Sequence, residues 1–142
     1  MSCSMTNMLT RRAFVPALLS GLLGLFSGTG LAKPAGDAAF DGVWSGAGTV
    51  ALFGRREPIS CRVRNTNRSG DEYFSSFTCA MDPYGSGSLT IPMERVGAKR
   101  YSGRFYDSFN QVNVQVSVLQ EGNSQKVLVS SKKWKGVLHL RK

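Results

Sequence analysis

The sequence predicts an all-β fold, an eight-stranded antiparallel up-and-down barrel, on three observations. Beyond residue 40, turn residues recur about every ten positions, with apolar and polar residues alternating between them. No helical periodicity occurs after residue 32. The intervening turns are nearly all too short to cross between two sheets, so successive strands should be hairpin neighbours. That favours a closed meander over a sandwich, and eight strands is a common closure number for a small barrel.

The hairpin spanning 57–82 anchors the reading. Folded about Ser69-Gly70-Asp71, it opposes Cys61 to Cys79, Val63 to Phe77 and Ile59 to Met81. Residues two apart on a strand share a face, so these six side chains lie together, with Ser60, Arg62, Arg64 and Glu72 on the other side. A one-residue slip would turn every side chain over. This register predicts a Cys61–Cys79 disulfide within an apolar sheet face.

The elements follow in order. The first strand, 42–53, has Trp44, Val50 and Leu52 on one face. Gly54-Arg55-Arg56 leads to a strand at 57–64, and the Gly70 turn to one at 72–81. Asp82 to Gly87 leads to 88–95, with Leu89, Ile91 and Met93 inward. Pro92 there has no N–H, which places it at a bulge or beside an unpaired position. In 99–106, Tyr101, Gly103 and Phe105 share a face. In 109–119, Val112, Val114, Val116 and Val118 alternate with polar residues. Val127 and Val129 point inward from 124–130, as do Trp134, Leu138 and Leu140 from 134–141.

The first 32 residues differ in kind. Arg11 and Arg12 precede an uncharged run, Ala13 to Ala32, rich in Leu, Gly, Ala and Phe. Small residues at Gly30 and Ala32 suit cleavage after Ala32, so 1–32 reads as a helical secretory signal peptide and 33–40 as a linker before the barrel domain at 41–142. Thr10 to Val15 resembles the twin-arginine export motif. Pro16 stands where lysine is common, so general secretion also fits. Both routes imply a periplasmic or secreted protein, which suits a disulfide. No other long apolar run exists, so no integral membrane segment is expected after cleavage. The formal charge of +9 falls to +7 without the leader, sixteen basic residues against nine acidic. Nucleic acid is the first partner such charge suggests, but export and the lack of a binding motif argue against it.

Gly42-Val43-Trp44, opening the first strand, resembles the Gly-x-Trp signature of the calycin group, the lipocalin and avidin-like barrels. The resemblance implies that Trp44 packs at the closed end against a basic residue of the last strand, for which Arg141 is the candidate. Phe40 to Gly48, Cys61-Arg62-Val63, Cys79-Ala80 and Tyr101 to Phe105 are also similar to a set of small exported bacterial proteins without an established activity. That likeness implies location and disulfide, not chemistry.

Catalysis is not expected. His139 is the only histidine and alternation places it outside, and both mature cysteines should be oxidised. No cofactor or metal is expected either. Binding is the better reading. Four turns share one end of the barrel and carry Arg55, Arg56, Lys132, Lys133 and Lys135, expected as one patch, with Tyr84 and Phe109 beside them. A basic rim over an apolar interior suits a small amphipathic or anionic ligand. The alternative is a protein-binding module, such as a barrel resembling the periplasmic protease inhibitors whose N-terminal segment, here 33–40, inserts into a partner, or a structural envelope protein.

Overall fold

A computed structural model describes residues 39–142, which form eight strands, each hydrogen-bonded to the next and the last to the first. The signal-peptide reading, with Arg11, Arg12 and Ala32, and most of the linker lie outside the described residues. The strands are β1 Gly42–Leu52, β2 Arg55–Ser69, β3 Glu72–Met81, β4 Gly85–Gly97, β5 Arg100–Asp107, β6 Val112–Glu121, β7 Ser124–Ser130 and β8 Trp134–Arg141. All pairings are antiparallel. The closed meander expected from the turn spacing is therefore present.

Closure between β1 and β8 depends on two glycines. Gly46 lies opposite Leu140 and Gly48 opposite Leu138. A Cβ on Gly46 would run into the His139 carbonyl, and one on Gly48 into that of Val137. The obstacle is backbone in both cases and cannot swing aside, so only glycine lets the first and last strands approach.

The 57–82 hairpin has the expected register, with Cys61 opposite Cys79 and Val63 opposite Phe77. The disulfide forms across this rung, its Cα atoms 4.1 Å apart. The hairpin is longer than alternation alone suggested, because β2 continues through Asn65-Thr66-Asn67-Arg68. Asparagine is poor in strands, but each of these has tertiary work. Asn67 Nδ2 donates to the carbonyls of Gly70 and Glu72 and closes the turn. Asn65 is buried and donates to the Phe40 carbonyl, while its own oxygen accepts from Ser75 Oγ.

Phe40 is fully buried, so the residue expected to end a linker is the floor of the barrel. Its ring stacks on Tyr101 at 3.6 Å and meets Tyr73 edge-on at 4.8 Å. Its carbonyl accepts from Trp44 Nε1 at 3.0 Å as well as from Asn65. Trp44 does pack at this closed end, but Lys142, not Arg141, is the cation over its ring, with Nζ 5.3 Å from the centroid. Period-two alternation explains the correction: Gly136, Leu138 and Leu140 point inward along β8, so 141 faces solvent. Lys142 Nζ also donates to the Asp41 carbonyl at 2.7 Å.

Replacing Gly48 with Val should cost about 3 kcal/mol or more, or prevent folding, because the added carbons meet backbone; urea unfolding measures it. Replacing both Cys61 and Cys79 with Ala should cost about 3 kcal/mol, the usual entropic worth of a loop this size. Equal unfolding midpoints with and without the bridge would contradict that.

Candidate functional site

The barrel interior changes character along its axis. The closed half is filled by Phe40, Trp44, Val63, Tyr73, Met93, Tyr101, Val118, Val127 and Leu140, each at most 4% exposed. Toward the other end the inward side chains stay against the wall, and a cavity of about 440 Å³ remains. Its wall is made by Val50, Ile59, Phe77, Ile91, Phe105, Val116, Val129, Trp134 and Leu138, with the disulfide midway up one side. No charged residue lines it. The volume falls in the range of small-molecule sites. An eight-stranded barrel has room to be filled or to hold one small ligand; this one is filled below and hollow above.

One seam of the wall is incomplete. β4 and β5 pair only from Met93–Gly103 down to Gly97–Arg100. On their other sides both strands stay paired to the mouth, β4 to Met81–Gly85 and β5 to Asp107–Val112. Residues 85–92 and 104–107 therefore each have an unpaired edge. Pro92 stands where the ladder stops, as its missing N–H led one to expect. Gly103 is the last rung, and the Met93 sulfur lies where its side chain would be. Leu89 faces inward yet is 39% exposed, because it stands in this slit. Gly85, Gly87 and Leu89 border the cavity here.

At the mouth, Leu52, Phe53, Arg55, Glu57, Met81, Tyr84, Asp107, Phe109, Asn110 and Trp134 surround an open vestibule. Of the residues expected there, Arg55, Tyr84 and Phe109 take part. Arg56 and Lys135 do not: both lie opposite Ala51, on the outer faces of β2 and β8. Lys132 is an exposed turn residue, and Lys133 is tied by its Nζ to the Asn110 carbonyl at 2.6 Å. The expected single basic patch is thus divided between rim and outer wall. Alternation could have shown this, since Arg55 and Arg56 must face opposite ways.

The sequence reading missed Phe53, Glu57 and Asp107. Asp107 organises the rim, accepting from Asn110 Nδ2 at 2.7 Å and Trp134 Nε1 at 3.0 Å, and from the backbone of Phe109 and Asn110. Burial works to raise its carboxyl pKa, but these four hydrogen bonds outweigh it and hold the group below the ordinary carboxylate value. Phe53 has a φ of 48° in a turn completed by Gly54 at 77°. Asn is the favoured residue for such a turn, and a bulky side chain there costs on the order of 1 kcal/mol or more. Phe53, Tyr84 and Phe109 are 87%, 67% and 91% exposed, one on each of three mouth turns.

Among the described residues, no group of three or more His, Cys, Asp or Glu is placed to hold a metal ion, and no helix is long and apolar enough to cross a membrane. His139 lies on the outer face of β8.

The chain matches no known protein family and no curated protein. Among solved structures it is similar to a de novo designed fluorescence-activating beta barrel, at a TM-score of 0.56 and 13% identity over 73% of this chain and 94% of that one. At that identity the likeness shows the fold.

A group with a depressed pKa stabilises the fold above the ordinary carboxylate range and loses that contribution as pH falls through its lower, folded value. Trp134 fluorescence should therefore change as pH drops below about 4, and Asp107→Asn should remove that change. An unaltered acid transition in the variant would refute the assignment.

Proposed function

We propose that this protein is an exported barrel that binds one small apolar or amphipathic molecule, without catalysing a reaction. The observation that carries the reading is the uncharged cavity of about 440 Å³, open to the vestibule, above a closed half that is filled with side chains. A void of this size gives up the contacts its lining would make with further side chains, and a bound molecule would restore them. The apolar part of the ligand would lie among Val50, Phe77, Phe105, Val129 and Leu138. A polar end would remain at the rim, where Arg55 supplies a cation for an anionic head. Glu57 and Asp107 border the same opening, so the rim carries both signs.

The β4–β5 slit supplies a second way in. A chain too long for the cavity would leave through the slit past Leu89. The disulfide supports an oxidising compartment. The designed neighbour is described as fluorescence-activating, which suggests environment-sensitive dyes as first probes. The binding of 8-anilinonaphthalene sulfonate, and its displacement by dodecanoate, tests the reading.

Val129→Phe should occupy part of the void and weaken dye binding while leaving the unfolding midpoint unchanged or raised, since the added ring enters empty space. Arg55→Ser should weaken dodecanoate several-fold and leave dodecanol within about twofold, the difference expected when one exposed charge pair is lost. Dye binding undiminished in Val129→Phe would overturn the proposal.

A further inference from the structure

The mouth carries more exposed apolar surface than the cavity needs. Phe53, Tyr84 and Phe109 come from three separate turns, β1–β2, β3–β4 and β5–β6, and all crown the same end. Each is at least 67% exposed, so none is there to pack the fold. Phe53 also occupies a left-handed position that Asn or Gly would take with less strain. A costly backbone conformation that holds an aromatic ring out in water needs a partner to account for it.

The charges at this end indicate the partner's sign. Arg55 lies on the rim, Arg56 and Lys135 stand on the outer wall just behind it, and Lys132 and Lys133 form the β7–β8 turn, Lys133 already donating to the Asn110 carbonyl. Against these five stand Glu57, Asp82 and Asp107, the last already engaged by Trp134 and Asn110. Protruding aromatic rings beside a basic collar are the features that seat a protein at the interface of an anionic bilayer.

We infer that the open end of the barrel docks on an anionic lipid surface, Phe53, Tyr84 and Phe109 entering the headgroup layer, so that the ligand passes between bilayer and cavity without crossing water. This rests on the cavity reading for its purpose, but its geometry stands alone. The ligand class it names is a membrane-resident amphiphile. The docked mouth would place Trp134 near the lipid and leave Trp44, at the closed end, remote from it.

The test uses the full chain with vesicles of phosphatidylcholine alone or mixed with phosphatidylglycerol, some carrying brominated acyl chains. Expected are preferential binding to the anionic vesicles, quenching of tryptophan fluorescence by bromolipid, and loss of that quenching in Trp134→Phe. Phe53→Asn and Phe109→Ser should each lower partitioning about tenfold, the effect of withdrawing one ring from an apolar environment. Phe53→Asn should keep or raise the unfolding midpoint, which separates lost docking from lost folding. Val129→Phe should weaken dye binding yet dock normally, so failure of the cavity reading and failure of docking are distinguishable. Binding that survives both aromatic substitutions, quenching that persists without Trp134, or dependence instead on the wall residues Arg62 and Arg141 would overturn the proposal. So would binding to a soluble polyanion such as dextran sulfate with none to vesicles.

Discussion

The approach of β1 to β8 is the constraint on which the rest of the barrel depends. A meander of eight strands has two free edges until its ends meet, and free edges invite pairing with other chains. Here the ends meet because Gly46 and Gly48 offer no Cβ to the carbonyls of His139 and Val137. Once that seam closes, the inward residues of all eight strands face one shared interior. The Cys61–Cys79 bridge then reinforces a hairpin on the adjacent side of β1.

Within the barrel, close packing and open space are divided along the axis. The lower half holds an aromatic floor of Phe40, Tyr73 and Tyr101 with a small polar network on it: the Phe40 carbonyl takes two donors, and Asn65 donates to it while accepting from Ser75, whereas Asp41 Oδ1 next to it is buried without a hydrogen bond. A buried network of this kind rigidifies only when its members are satisfied. Ile59, Phe77, Phe105 and Val129 pack against the upper side of that core and border the cavity above it.

The upper half departs from economical folding at three places. The β4–β5 ladder stops at Pro92 and leaves strand edges beside the cavity. Phe53 holds a backbone conformation better suited to other residues. Exposed aromatic rings stand around the opening. The unpaired β4–β5 edges, the left-handed Phe53 and the three most exposed aromatic rings, Phe53, Tyr84 and Phe109, all lie at the open end.

Alternation, turn spacing and cysteine register determined the strand number, the closed meander, the disulfide and nearly the whole inward set, because period-two burial is a local property written residue by residue. Val112 to Val118 and the Cys61–Cys79 rung needed nothing more. The same rule, followed one residue further, would have named Lys142 rather than Arg141 and separated Arg55 from Arg56. What only the tertiary structure decided was where volume runs out. Phe40 as floor, Asn65 as its partner, the hollow above Val116 and the slit at Pro92 arise from how eight walls meet in space. Filling and emptiness are sums over distant residues, and no stretch of sequence carries that sum by itself.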